Sequence, residues 1–380
     1  MICKCENCAA ALLFSPETGK LECTSCGSSF NVSRYGEKAD SGKEMEMQIY
    51  SCTACGAKLA VNWVESSTFC SYCGQPTIVF DRVSSTKKPK YIIPFSVSKE
   101  KAVELIRKRL KKGFFVPKAI KNFEIERVRG IYIPFWVYDV KYSDELYLTG
   151  RVQRGRGTQL EYFYRYAETM FYGLPMDASR QLSDEVTQRL EPFFVDAKKE
   201  FAVGYMSGFY ADCFDVNADL TWYPARRRCR DLFDEEIKKS IRADDVTVKT
   251  RDTKEELVNR EYFMFPAWFL TFRYEDEPYT ILVNGQTEKV VGAVPYDKVK
   301  MGFIFVLMAV IASICVFPFA MMSLVGCMIY VGGVMLPIFF VMLAIIVWKK
   351  GTMKLEQVKR SITLAKESAT NNFVKNRQEM

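Results

Sequence analysis

The residues best suited to chemistry are eight cysteines near the start of the chain, arranged as four Cys-x-x-Cys pairs. Each cysteine of the first set recurs 47 residues later, and 14 residues separate the two pairs in both copies. The sets are Cys5, Cys8, Cys23 and Cys26, followed by Cys52, Cys55, Cys70 and Cys73. Two residues between cysteines let one tight turn direct both sulfur atoms to one point, and a second pair completes a tetrahedron. The spacing predicts two small four-cysteine zinc ribbons, in residues 1–34 and 49–80, joined by a linker at 35–48.

Disulfides and iron are the alternatives to two structural zinc ions. Disulfides need an oxidising compartment, whereas no signal peptide precedes the first pair, which favours the reducing cytosol. Rubredoxin-like iron uses similar Cys-x-x-Cys-Gly turns, and Gly27, Gly56 and Gly74 follow three of the four pairs. The gap between the pairs is short for a rubredoxin, so zinc is preferred. Four thiolates leave no coordination position for water, so we expect structural sites, with Cys3 as a spare thiol.

The composition argues against catalysis. The chain of 380 residues contains no histidine, which excludes Ser–His–Asp and Cys–His nucleophilic pairs and metals held by imidazole. The 45 acidic residues show no spacing with a recognisable mechanism, and no G-x-G-x-x-G loop is present. We therefore predict a non-enzymatic protein without a small-molecule substrate.

Basic charge is concentrated in one stretch. The formal net charge is +8, but residues 82–129 alone contain 15 Lys and Arg against 4 Asp and Glu, a net charge of +11. Such a concentration implies an anionic partner. Within it, the pattern predicts a basic helix from Ser98 to about Lys112, which either lies on anionic lipid or packs its apolar side on a sheet; we prefer the second interpretation. The candidate contact residues are Lys99, Lys101, Arg107, Lys108, Lys111 and Lys112.

The C-terminal region is uncharged over a long stretch. Residues 302–348 contain no Asp, Glu, Lys or Arg across 47 positions. As one helix they would extend about 70 Å, over twice the thickness of a bilayer's hydrocarbon core. We therefore predict a hairpin of two transmembrane helices in 301–348, followed by a polar helical tail at 349–380. Lysines on both flanks predict a multi-pass cell-membrane protein with both termini in the cytoplasm.

The region between the ribbons and the hairpin alternates strand-like and helix-like patterns. After a linker at 81–97, it predicts a cytoplasmic α+β domain at 98–300, built on an antiparallel sheet. The predicted strands are 131–140, 144–152, 158–172, 265–274 and 278–284, with turns at Ser143 and Gly155, and the predicted helices lie near 179–190 and 216–242. The predicted chain is therefore multidomain.

Three segments beside the paired ribbons resemble a family of bacterial zinc-ribbon membrane proteins, found especially in Bacillus and its relatives. They are IYIPFWVYD at 131–139, YMSGFYADCFDV at 205–216 and PAWFLTFRYEDEPYTILVNGQTEKVVGAVP at 266–295. Members are encoded beside phage-shock-type, ESCRT-III-like proteins and flotillin-like (SPFH) proteins. They are thought to anchor those proteins at the membrane during envelope stress. The resemblance implies such partners, or a paralogue, for this chain. Ala9 departs from the pattern, because glycine is usual at that turn.

Two classes of function compete. The first is a membrane-anchored zinc-ribbon scaffold that recruits cytoplasmic partner proteins to the bacterial membrane, in an envelope-stress response. The second is a membrane-tethered nucleic-acid-binding protein that uses the ribbons and the basic stretch. Between its cysteine pairs, the first ribbon carries Glu17, Lys20 and Glu22, and the second carries Lys58 and Glu65. Because neither ribbon has a basic stripe, the sequence favours the scaffold.

Overall fold

One long strand, β8 (Val128–Arg154), organises the main sheet. The computed structural model describes residues 3–321 except 36–43, 62–69, 74, 76–77, 114, 123–126, 156, 183, 275–276 and 293. Along one edge, β8 runs antiparallel to β12 (Asp244–Tyr274). Two strands share the other edge of β8. β11 (Tyr210–Asp212) pairs with it in parallel, and β9 (Gly157–Asp177) pairs antiparallel from Phe135 to the hairpin end.

The sequence of β8 explains why it is long and why its two halves differ. Its first half, 131–138, is an uninterrupted run of buried aromatic, β-branched and proline residues, as expected of a strand covered on both faces. In its second half, buried Tyr142, Leu146 and Leu148 alternate with more exposed neighbours. Ser143, which we predicted as a turn, pairs with Glu168 inside the strand, because this alternation continues through it.

Shorter strands extend the sheet on both sides of the central pair. Beyond β12 lie β13 (Glu277–Asn284), β14 (Val290–Gly292), β7 (Tyr91–Ile92) and β10 (Lys199–Glu200). Beyond β11 lie β5 (Lys58–Val61), β4 (Glu44–Cys52) and β6 (Ile78–Lys87). A separate three-stranded sheet near the N-terminus consists of β1 (Leu12–Ser15), β2 (Lys20–Cys23) and β3 (Ser29–Phe30). The segment that carries the second set of cysteines therefore contributes strands to the main sheet.

The α-helices in the described residues are α1 (Lys99–Lys112), α2 (Lys118–Lys121), α3 (Asp184–Leu190), α4 (Ala218–Lys239) and α5 (Lys298–Met321). Three of them, α1, α3 and α4, pack against this sheet. The predicted start and end of α1 are confirmed: the Ser98 side chain accepts a hydrogen bond from the Lys101 N–H, and Gly113 follows the last turn. In α4, Ala225, Cys229 and Phe233 are buried, as the four-residue spacing indicates.

An aromatic cluster joins the separate parts of the core. The rings of Phe95 and Phe209 stack with centroids 4.2 Å apart, and Phe95 also lies 5.1 Å from Trp268 of β12 and 5.0 Å from Tyr132 of β8. Gly130 lets these rings approach the backbone, because an added Cβ would lie 2.4 Å from Cδ1 of Phe209. The core therefore depends on segments far apart in the sequence.

The predicted fold class requires correction. The described part of the chain is mainly β rather than an α+β domain followed by a membrane hairpin. Aromatic and β-branched runs formed much longer strands than their local turn signals indicated, because pairing with distant strands overrides such signals.

The predicted multi-pass membrane protein is wrong as well. Among the helices of the described residues, none combines the length and the apolar character needed to cross a membrane. The prediction for 301–348 rested on 47 uncharged positions, too many for one span, and the described residues form one helix there, α5, as far as Met321. The second predicted span, near 325–348, and the tail at 349–380 lie outside the described residues.

Candidate metal sites

The two predicted sets of cysteines each converge on one point. In the first site, the Sγ atoms of Cys5 and Cys26 lie 3.6 Å apart and those of Cys8 and Cys23 lie 3.4 Å apart. In the second site, the corresponding distances, from Cys52 to Cys73 and from Cys55 to Cys70, are both 3.7 Å. Within each site, all four sulfur atoms lie within 4.8 Å of one another. The repeat in the sequence is therefore a repeat in space.

These distances fit one metal ion per site. A tetrahedral thiolate site with metal–sulfur bonds of about 2.3 Å places its sulfur atoms roughly 3.8 Å apart. A disulfide requires about 2.05 Å between sulfurs, and these cysteines are free thiols. Each set of four cysteines could thus hold a metal ion, and the four sulfurs complete its coordination.

The turns that carry the cysteines have the backbone conformation that the spacing requires. The N–H groups of Ala9, Gly27 and Gly56 donate to the carbonyls of Cys5, Cys23 and Cys52, at 2.8–2.9 Å. All three residues have positive φ angles, between 57° and 73°. Ala9 is the departure noted in the sequence, and its left-handed conformation costs a residue with a side chain roughly 1 kcal/mol. The first turn forms despite this cost.

Neighbouring groups favour the ionised form of one cysteine in the first site, Cys26. Hydrogen bonds from the Ser28 side chain, with Oγ 3.2 Å from Sγ of Cys26, and from its backbone lower the pKa of Cys26 to about 6. A thiolate at neutral pH is the form that binds metal. Cys3 is buried and belongs to neither cluster of the described residues, which agrees with its interpretation as a spare thiol.

The second site is built into the core of the main sheet. The turn from Cys70 to Cys73 is buried throughout. The Thr271 hydroxyl of β12 donates to the Ser71 carbonyl at 2.5 Å, and the Tyr72 ring contacts Phe269 of β12 edge-on, with centroids 5.3 Å apart. Metal binding at this site is therefore coupled to the packing of β12.

A buried carboxyl group strengthens this connection. Asp212, in β11, accepts hydrogen bonds on Oδ2 from the Tyr72 hydroxyl at 2.8 Å and from the Ser179 hydroxyl at 2.5 Å. Burial raises the pKa of Asp212 to about 7 although both bonds favour the ionised form. β11 also pairs with β5, where Leu59 lies opposite Asp212. Two strands and the turn from Cys70 to Cys73 thus meet at one carboxyl group.

The first site is held more loosely. Cys8 and Cys26 are exposed, and β1 makes part of the contact with the rest of the protein. The Phe14 N–H donates to the Ser207 carbonyl at 2.9 Å, and the Phe14 ring lies 5.4 Å from the Tyr205 ring. The two sites share a ligand pattern but differ in their surroundings.

The predicted basic contact residues lie on α1, whose packing agrees with the preferred interpretation. Its apolar side, Ala102, Ile106 and Leu110, is fully buried. Among the six candidates, Arg107, Lys108 and Lys111 are exposed and line one shallow surface depression with Glu100, Val103 and Glu104. Lys99 and Lys101 are half-buried, with Lys101 Nζ 3.1 Å from Glu104, and the Lys112 side chain lies outside the described part of the structure.

Sequence reasoning missed the residues that hold the second site in place. Tyr72 lies between two predicted ligands and Asp212 lies in a quoted segment, but 140 residues separate them. No local pattern signals such a contact. An aspartate in an apolar segment, FYADCF, is the one feature that could have indicated a buried polar partner.

The fold and the sites define a mainly β protein with two four-cysteine sites, the second embedded in the main sheet. The chain is 30% identical over 312 residues to the uncharacterized protein YdjG of Bacillus subtilis, and the match covers 78% of this chain and 91% of YdjG. The chain belongs to the YdjG family. No protein-family model and no solved structure matches it.

Replacing Tyr72 with Phe tests the connection between the second site and the sheet. The change removes one of the hydrogen bonds to the buried carboxyl of Asp212, so we expect the free energy of unfolding to fall by about 1–3 kcal/mol. Tyr172→Phe is the matched control, because Tyr172 is 78% exposed. Chemical denaturation of both variants measures the difference. Equal stability of the two variants would contradict the role given to Tyr72.

Metal content provides a second test. The purified protein should contain about two metal ions per chain, because each set of four thiolates closes around one ion. The double substitution Cys52→Ser and Cys55→Ser should leave about one ion, held by the first site. Elemental analysis measures both values. A single ion in the unsubstituted protein would refute the two-site arrangement.

Proposed function

We propose that this protein is a non-enzymatic scaffold, stabilised by two zinc ions, that binds an acidic partner protein through the exposed basic residues of α1. The observation that carries the proposal is the placement of Arg107, Lys108 and Lys111 together on the exposed side of a helix whose apolar side is buried. A rigidly packed helix presents these charges to a partner without a large loss of side-chain and backbone freedom.

Zinc is the proposed metal because both sites consist of four cysteines in a closed set. Zinc favours tetrahedral thiolate ligands, and such sites contribute folding free energy directly. The closed sets also support a structural role for the ion. A red chromophore in the purified protein would instead identify iron.

The surroundings of the basic residues favour a protein partner over a nucleic acid. Glu100 and Glu104 line the same depression as Arg107, Lys108 and Lys111. Carboxylates repel a phosphate backbone, which binds best to a uniformly positive surface. A protein surface can place acidic groups against the three cations and basic groups against the two carboxylates, so mixed charge also gives specificity.

The resemblance described above suggests which proteins to test. An ESCRT-III-like protein of the phage-shock type and a flotillin-like (SPFH) protein are the proposed candidates. An acidic segment on either protein would complement the basic face of α1.

Charge reversal tests the proposal. Arg107→Glu, Lys108→Glu and Lys111→Glu combined should weaken binding of the partner at least tenfold, because three attractive charges become repulsive. Arg230→Glu, Arg242→Glu and Lys249→Glu make the same change in net charge at exposed positions away from α1. Chemical cross-linking in cells followed by mass spectrometry, with the unsubstituted chain as reference, identifies the partner and compares the two variants.

The outcome separates the two classes of function. Loss of the partner from the α1 variant alone supports the scaffold, and equal loss from both variants would show that only net charge matters. Tight, sequence-selective DNA binding by the purified chain at 150 mM salt, abolished when the metal sites are disrupted, would refute the scaffold and support the nucleic-acid alternative.

A further inference from the structure

The outer edge of β9 has no partner strand among the described residues. β9 pairs with β8 along one edge, and β8 in turn pairs with β12 on its far side. From Thr158 to Glu168, β9 contains neither Pro nor Gly and carries four aromatic residues. Natural sheets usually interrupt or cover such an edge, because its unpaired backbone groups bind another strand readily. An uninterrupted edge of this kind therefore points to a partner strand.

The hairpin fixes which backbone groups face outward. Arg154 pairs with Gly157, so two residues close the turn between β8 and β9. The closing pair of such a hairpin is hydrogen-bonded, and bonded and non-bonded pairs then alternate. Odd-numbered residues of β9 thus bond to β8, and even-numbered residues from 158 to 168 direct their N–H and C=O groups outward. The contacts of Tyr164 are consistent with this assignment. Its carbonyl accepts a hydrogen bond from the Arg165 side chain at 2.8 Å, as expected of an outward-facing carbonyl.

The side chains of the same even-numbered residues are exposed and largely aromatic. Tyr162 is 80% exposed and Tyr166 is 61% exposed. Leu160 and Tyr164 share this face, where the Tyr164 ring lies 5.2 Å from the ring of Tyr147 on β8. Tyrosine supplies large contact area with few rotatable bonds, which suits a protein interface.

We propose that β9 of one copy pairs antiparallel with β9 of a second copy of this chain, about a two-fold axis beside Phe163. In this register Glu161 lies opposite Arg165, Tyr162 opposite Tyr164, and Leu160 opposite Tyr166 of the other copy. The even-numbered residues of the two strands exchange about twelve backbone hydrogen bonds. The proposal goes beyond the scaffold function and does not depend on it.

Charge complementarity selects this register. Because outward-facing residues must meet outward-facing residues, the alternatives shift the axis to Tyr162, Tyr164 or beyond. The nearest two shifts separate Glu161 from Arg165. The next two place Glu161 opposite Glu161 or Arg165 opposite Arg165, and like charges directly opposite are destabilising. Only an axis at Phe163 pairs the opposite charges, and symmetry makes that pair occur twice.

Both charged residues can make this contact. Arg154 donates two hydrogen bonds to Oε1 of Glu161, at 2.9 and 3.1 Å, so Oε2 can accept from the second copy. Among the described residues, no carboxylate lies within ion-pair distance of Arg165. Its guanidinium instead donates to the Tyr164 carbonyl and lies 5.9 Å from the centre of the Phe163 ring.

Charge exchange between the two positions tests the pairing. The full-length chain with metal bound should form dimers at tens of micromolar, measured by sedimentation equilibrium. Glu161→Arg alone and Arg165→Glu alone should each raise the dimer dissociation constant about tenfold, because two attractive pairs become repulsive. The double variant Glu161→Arg/Arg165→Glu should restore dimerisation, since the pairs return with their signs exchanged.

Mixing the two single variants gives the sharpest result. Each single variant repels its own copy, but the two together place opposite charges at both contacts, so the mixture should form heterodimers. Far-ultraviolet circular dichroism and metal content show that the variants fold. A monomeric unsubstituted chain at 100 µM, or a dimer that is indifferent to both single substitutions, would overturn the proposal.

Discussion

The packing of the turn from Cys70 to Cys73 against β11 and β12 is the contact on which the rest of the structure depends. The turn lies under the main sheet, with the Thr271 hydroxyl bonded to its backbone and the Asp212 carboxyl bonded to the Tyr72 side chain. A structural zinc site contributes roughly 10–16 kcal/mol in small isolated modules. A metal ion bound at the second site of this protein would help to hold together strands from three distant regions of the chain, because the four cysteines lie in the core or pack against it.

This arrangement explains why two sites with the same ligand spacing differ. The first site keeps two of its four cysteines exposed. In the second site, three of the four cysteines are buried and the fourth is half-buried. The same cysteine spacing therefore gives one peripheral site and one central site, and the difference arises from the residues around each site.

Local features of the sequence were predicted well. The exact repeat of the cysteines predicted both sites, Ser98 and Gly113 predicted the ends of α1, and the four-residue spacing predicted the buried side of α4. Long-range features could not be predicted from the sequence. Nothing local shows that β8 continues through Ser143 or that Tyr72 meets Asp212, since both depend on pairing across the sheet. The predicted membrane hairpin is wrong, because none of the helices in the described part of the chain meets the requirements of a membrane span.

The proposed function and the proposed dimer use different surfaces, so both can operate at once. The basic residues lie on α1, and the proposed dimer contact is the outer edge of β9. A dimer carries two copies of the basic face. A partner with repeated acidic segments would then bind both copies, and the second contact would form at high effective concentration.

The most direct test of the central claim is hydrogen exchange of the backbone amides in residues 267–284 when only the second site is disrupted. With Cys52 and Cys55 replaced by Ser, we expect these amides of β12 and β13 to exchange at least tenfold faster than in the unsubstituted protein, because the buried turn no longer supports them. With Cys5 and Cys8 replaced by Ser, their protection should be unchanged. Full protection of residues 267–284 after loss of the second metal ion would contradict the account.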